Sequence, residues 1–202
     1  MPSPTRHFAS NAPKSLSEAS HRVAAGVAGH RYAIFLLLAA GGCAADLLSK
    51  YWVFQWQGMP DPHKQPWWIW QGYVGIETAL NPGALFGLGA GGAPLFAGLS
   101  VVAFAGILFW LFVKRAAGDL FLTVILGLIS GGILGNLYDR LGLWAPPGTP
   151  DQVARQVRDW ILFRYGDFTW PNFNIADSLL VCGAIGLMWH ALRTPVGGKD
   201  EG

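Results

Sequence analysis

Apolar positions gather into four long runs, separated by polar, glycine-rich and proline-rich stretches. They cover 32–48, 93–113, 120–138 and 174–192. A helix crossing a bilayer needs about 20 mainly apolar residues, so each run predicts a transmembrane helix. Between the first two, residues 55–92 alternate short β-prone runs with glycines and carry Trp56, Trp67, Trp68, Trp70 and Tyr73. That pattern predicts a small sheet resting on the bilayer, its tryptophans at headgroup level. Between the last two, residues 141–173 open on the turn cluster Ala145-Pro146-Pro147-Gly148-Thr149-Pro150. They predict a lid-like loop, with an amphipathic surface helix over 152–165. Residues 1–31 lack apolar periodicity and read as a flexible tail; 194–202 form a second tail. The expected fold is a mainly α membrane protein of four transmembrane helices, with an extracytoplasmic β-rich segment and an extracytoplasmic lid-like loop. Residues 32–193 form its single domain.

Small residues predict how the helices meet. Gly127, Gly131 and Gly135 lie four apart on the third run, and Ser178, Cys182 and Gly186 lie four apart on the fourth. Such stripes let backbones approach closely, and they predict tight packing of the third span on the fourth.

Composition fits this reading. Of 202 residues, 52% are hydrophobic and 13% charged, with a mean hydropathy of +0.34. A soluble domain carries about 25% charged residues, so this chain has roughly half the usual charge. The deficit argues against disorder and, with a net charge of only +2, against a nucleic-acid partner. Cys43 and Cys182 both lie in apolar runs without a CxxC spacing, which suits packing better than a disulfide or metal. Lys and Arg set the orientation. The N-terminal tail, the Lys114-Arg115 loop and the C-terminal end hold eight basic residues against four acidic; the opposite side holds six against eight. Both termini are therefore expected in the cytoplasm. Ala40-Gly41-Gly42-Cys43 loosely resembles a lipoprotein cleavage box, but cleavage there would break this charge pattern, so the first span is expected to stay uncleaved.

Ionisable groups in spanning helices are costly, so each is a candidate for function. Asp46 and Lys50 end the first span; Asn136, Asp139 and Arg140 end the third; Asn174 and Asp177 open the fourth. The topology brings all three sets, and Asn81 before the second span, to the extracytoplasmic edge. Asp46 and Lys50 have the i,i+4 spacing of an ion pair. Asn174 also suits a helix cap, and Asp139 a structural partner for Arg140 or a backbone group. No histidine can join this cluster, which leaves carboxylates, amides and arginine. Two aspartates sharing a proton can hydrolyse an amide. Spacing alone leaves Asp139, Asp159 and Asp167 as competing partners for Asp177.

Five motifs carry a resemblance. They are Asp46-Leu-Leu-Ser-Lys50, Asn81-Pro-Gly83-Ala-Leu-Phe86-Gly87, Gly131-Gly132-Ile-Leu-Gly135-Asn136-Leu-Tyr-Asp139-Arg140, Val157-Arg-Asp159-Trp160 and Trp170-Pro171-Asn-Phe173-Asn174-Ile-Ala-Asp177-Ser178. In this order they resemble the bacterial lipoprotein signal peptidase family, also called signal peptidase II. The resemblance implies an intramembrane aspartyl endopeptidase of the bacterial inner membrane that uses no metal or other cofactor. It implies a diacylglyceryl-modified prolipoprotein as substrate, cut just before the lipidated cysteine, with membrane lipid as the other partner and a monomer as the working form. Asp159 and Asp177 match the catalytic pair. Asn81 and Arg140 match substrate-holding positions, while Asp46, Lys50, Gly83, Asn136, Asp139 and Asn174 match supporting ones. The chain departs from the family pattern at Leu47 and Trp160, in its long N-terminal tail, and in a longer Pro/Gly-rich link over 142–157. The competing reading is a non-enzymatic four-helix membrane protein, such as a transporter subunit or proton relay.

Overall fold

The computed structural model describes residues 29–83 and 92–193. Both terminal tails, apart from residues 29–31, and the Ala84-Leu-Phe86-Gly87 part of the second motif lie outside the described residues. The chain runs α1 (Gly29–Gln57), β1 (Trp67–Trp70), β2 (Val74–Asn81), α2 (Ala93–Leu108), α3 (Leu120–Arg140), α4 (Asp151–Ala154), β3 (Val157–Tyr165), β4 (Phe168–Phe173) and α5 (Ile175–Arg193). A π-helical turn, Phe109–Val113, prolongs α2. Among the described residues, four helices are long and apolar enough to cross a membrane: α1, α2 with its π turn, α3 and α5.

The third span is central, with 61% of its most apolar window buried against 11–17% in the other three. It starts where Asp119 accepts the Leu122 N–H at 3.1 Å, and it stops at Gly142. That glycine has φ 75°, and its N–H meets the Asp139 carbonyl at 2.8 Å, the left-handed cap that a residue with a Cβ adopts only under strain. The third span packs tightly on the fourth, as the sequence suggested, but its glycine stripe faces α1. Cβ atoms at Gly127 and Gly131 would lie 2.9 Å from Leu38 and 3.1 Å from the Ala39 carbonyl. The fourth span reaches α3 through another face, where Gly132 lies under Ala176 and Leu180 and Gly186 lies against Ile125. A single helix in contact with two others needs small residues on both sides, which one four-residue stripe cannot reveal.

Gly135 has a more exacting neighbour. A Cβ there would lie 2.5 Å from Asp46 Oδ2, an oxygen held by Lys50 and unable to move aside. Gly135→Ala is expected to cost about 2 kcal/mol, roughly 4–8 °C in Tm. Unchanged thermal unfolding would mean that the Asp46 carboxylate is free to move.

The four strands form one antiparallel sheet in chain order, β1-β2-β3-β4. The sheet expected in 55–92 is present, but half of it comes from the second extracytoplasmic segment. The helix expected over 152–165 does not form. Only Asp151–Ala154 is helical, and Val157–Tyr165 is a strand. Its first residues, Val157, Arg158 and Asp159, are all buried, because β2 and the ends of α1 and α3 enclose them. A strand covered on both faces loses the alternation that would have announced it.

Candidate active site

The helix ends and the sheet meet where the polar residues collect. At 1.5 Å per residue, the 29 residues of α1 extend about 44 Å, against about 30 Å of hydrocarbon. Its last three turns carry Asp46, Lys50, Val53 and Gln57 along one buried stripe facing the protein. Lys50 is fully buried, and its ammonium has three acceptors: Asp46 Oδ2 at 2.7 Å, Asn136 Oδ1 at 3.0 Å and Asp139 Oδ2 at 3.1 Å. Three donors meeting three acceptors leave the buried charge satisfied. The spacing of Asp46 and Lys50 is thus realised as an ion pair. The other Asp46 oxygen accepts the Ala176 N–H at 2.9 Å, tying α1 to the first turn of α5.

Asn174 caps α5, as its position suggested. Its Oδ1 accepts the Asp177 N–H at 2.9 Å, while Asp177 Oδ2 accepts the Asn174 N–H at 3.2 Å, a reciprocal capping box. The two Asn174 Nδ2 hydrogens go to Asn136 Oδ1 at 3.1 Å and Asp159 Oδ1 at 2.6 Å. Asn136 Oδ1 therefore receives both Lys50 and Asn174, which turns its Nδ2 toward Asp177 Oδ1 at 2.8 Å. Each amide is oriented by what it must accept.

The strand register completes the set. Ala79 pairs with Asp159 and Asn81 with Val157, so Asn81 and Asp159 are diagonal neighbours on one face. Asn81 Nδ2 donates to Asp159 Oδ2 at 3.1 Å, and its Oδ1 accepts the Gly83 N–H at 3.0 Å. Arg140 Nη2 donates to the Gly83 carbonyl at 3.2 Å, and the guanidinium lies 4.9 Å from the Phe96 ring centre. Asp159 is 1% exposed. Burial, then the neighbouring charge of Asp177, push its carboxyl up to about 7, against the lowering pull of Asn81, Asn174 and Lys50.

All ten candidate residues thus belong to one network at one end of the helix bundle. The competitors of Asp159 are placed differently. Asp167 is exposed in the turn between β3 and β4, roughly 20 Å of strand from the start of α5. Asp139 accepts from Lys50 and Arg158, the latter at 2.7 Å, so its partner is Arg158 and not the adjacent Arg140. Arg158 had no role in the sequence reading. Its only signal there was a basic residue between two buried motif positions. Asn172 was missed too; its Nδ2 meets the Glu77 carbonyl at 2.9 Å.

A groove of about 600 Å³ opens beside this network. Asn81, Asn136, Arg140 and Asp177 line its polar end, and Trp170, Phe173 and Val181 carry it toward the outer face of α5, where Val181 is 58% exposed. Arg140 Nη1, buried at the polar end, has no hydrogen-bond partner among the described residues.

Residues 38–193 match the family model described as signal peptidase (SPase) II. A lipoprotein signal peptidase of Rhodopirellula baltica is 57% identical over 160 residues, covering 79% of this chain and 71% of that relative. One of Xanthomonas campestris pv. campestris is 36% identical over 163 residues, covering 79% and 88%. Among solved structures, one described as a bacterial membrane enzyme superposes with a TM-score of 0.67 at 25% identity, over 83% of this chain and 93% of that one.

Proposed function

Since the chain belongs to the signal peptidase II family and is by that membership a membrane peptidase of lipoproteins, we propose that Asp159 and Asp177 are its catalytic pair. The observation that carries this reading is the arrangement around Asn174. Asn174 reaches both aspartates beside an apolar groove: its side-chain amide donates to the Asp159 carboxylate, and its backbone N–H donates to that of Asp177. Asp177, which accepts from Asn136 and from a backbone N–H, is the group that takes a proton from water. The resulting hydroxyl attacks the scissile carbonyl carbon. Asp159, whose proton is retained near neutrality, gives it to the carbonyl oxygen. Collapse of the tetrahedral adduct returns a proton to the leaving nitrogen and breaks the C–N bond. Arg140 Nη1, without a hydrogen-bond partner among the described residues, is the donor we assign to a substrate carbonyl, with the guanidinium held in place by its Nη2 bond to Gly83.

The substrate we infer is a diacylglyceryl-modified prolipoprotein, cut just before its lipidated cysteine. The groove runs from the polar end onto the outer surface of α5, so acyl chains can stay in lipid while the peptide reaches the aspartates. Anchor binding remote from the bond can then serve to position it. The Lys and Arg distribution supports a site on the outer face of the bacterial inner membrane with both termini inside. A transporter would place its charges near the midplane of repeated halves. Here they gather at one end.

The test is cleavage of a lipidated precursor by the purified protein in lipid vesicles. We expect release of the signal peptide, no cleavage of the unlipidated precursor, and no effect of a chelator. The proton on Asp159 is present below about pH 7 and lost above it, so kcat/KM should fall as pH rises past 7. Equal cleavage of the unlipidated precursor, or a rate still rising at pH 9, would overturn the reading.

A further inference from the structure

We propose that Arg158 is a positioning residue for the Asp159–Asp177 pair, acting by holding Asp139 so that Lys50 stays on Asn136, with Trp144 covering it. The proposal rests on the reading of those aspartates as the catalytic pair.

Asp139 is fully buried and carries four contacts. Oδ1 accepts from Arg158 Nε at 3.2 Å and Nη2 at 2.7 Å; Oδ2 accepts the Arg158 backbone N–H at 3.0 Å and lies 3.1 Å from the Lys50 ammonium. Two cations thus serve two structural carboxylates, Asp46 and Asp139. If the guanidinium is removed, Asp139 has only Lys50 to balance it. The ammonium that now divides itself among three acceptors is drawn toward the carboxylate and away from Asn136 Oδ1. That contact, together with the one from Asn174, points Asn136 Nδ2 at Asp177. The Arg158 N–H also ties β3 to the end of α3 one residue before Asp159. Arg158 therefore bears on both members of the pair while touching neither.

Its guanidinium lies 5.2 Å from the Trp144 ring centre and 5.9 Å from that of Phe54, a placement that shields the charge from water. Trp144 comes from the link between α3 and α4, the extra Pro/Gly-rich segment that the sequence left without a role. It is pinned by an Nε1 bond to the Gln156 carbonyl at 3.1 Å. The link thereby gains a function: it delivers the ring that closes over Arg158.

Steady-state cleavage of the lipidated precursor by full-length protein in vesicles tests this. Arg158→Met should lower kcat by about 10²-fold with KM within about twofold, the size expected when a catalytic group is displaced by about 1 Å. Arg158→Lys should retain most of the rate. Asp139→Asn added to Arg158→Met removes the competing carboxylate and should restore kcat about tenfold, a rescue that loss of packing does not produce. Unchanged kcat in Arg158→Met, or no rescue in the double variant, overturns the proposal. If Arg158→Met does not fold, Trp144→Ala leaves every charge in place and should lower kcat about fivefold; unchanged kcat there overturns it equally. Wild-type protein that fails to cleave, or Asp177→Asn that cleaves normally, would instead defeat the peptidase reading.

Discussion

Asp177→Asn and Asp159→Asn should each lower cleavage of a lipidated precursor by about 10³-fold or more, while the protein still inserts and folds. The change is isosteric, so the loss measured is that of proton transfer. At 177 the amide oxygen can still accept from Asn136 Nδ2 or from the Asn174 N–H, leaving the α5 cap largely in place at a cost of about 1 kcal/mol. At 159 the amide removes a titrating group from a site where burial disfavours charge. Two further variants give the experiment its power. Asp167→Asn alters an exposed turn and should leave the rate alone. Asp139→Asn leaves Arg158 and Lys50 short of a counter-charge, and should show first as lost stability. Full activity in either dyad variant would remove that residue from the pair. Loss confined to Asp167→Asn would reassign it.

Lys50→Met should have the largest effect on stability, about 3–5 kcal/mol, or roughly 6–20 °C in Tm. The methionine fills the volume, so the cost does not come from a cavity. It comes from Asp46, a fully buried carboxylate left without its cation, and from Asn136, which loses the charged one of its two donors. Adding Asp46→Leu should recover part of the Tm, since replacing a buried ion pair by apolar groups is commonly neutral or stabilising. Activity should not return with it, because Asn136 Oδ1 is then held by Asn174 alone. Calorimetry of the purified variants reads both effects. A Tm within about a degree of the parent in Lys50→Met would show that this ammonium is not needed for the fold.

The four spans were legible because hydropathy and length are local properties. Where α1 outran its apolar stretch by nine residues, the cause is equally physical. From Asp46 onward the buried stripe continues at helical spacing, but it faces protein and carries polar side chains, so hydropathy falls while the helix goes on. Strands β3 and β4 were not legible. Val157, Arg158 and Asp159 are enclosed on both faces, and their partners lie on β2, some 80 residues earlier, where no local pattern points. The glycine stripe was seen, but its partner helix was not, since spacing states that something approaches and not what. The site was legible as a set of residue types at one edge of the membrane. Its wiring was not: Lys50 to Asn136 spans 86 residues and Asn81 to Asp159 spans 78. Arg158 was passed over because its purpose lies in Asp139 and Trp144, at the end of one helix and in the link beyond it.

The bond from Asp46 to the Ala176 N–H joins residues made 130 positions apart. At roughly 5–20 residues per second, a ribosome needs about 7–26 s to travel between them. Through that interval Asp46 has Lys50, one turn away on the same helix, so the nascent first span carries its charges already paired. Asp159 and Asp177 are made only after the first three spans, and Asn174, which bonds both, lies at the start of the fourth. A chain stopped before them has three spans and neither of these carboxylates. If these two aspartates are the catalytic pair, as we propose, hydrolytic power arrives only with the fourth span, when the first three are already in place.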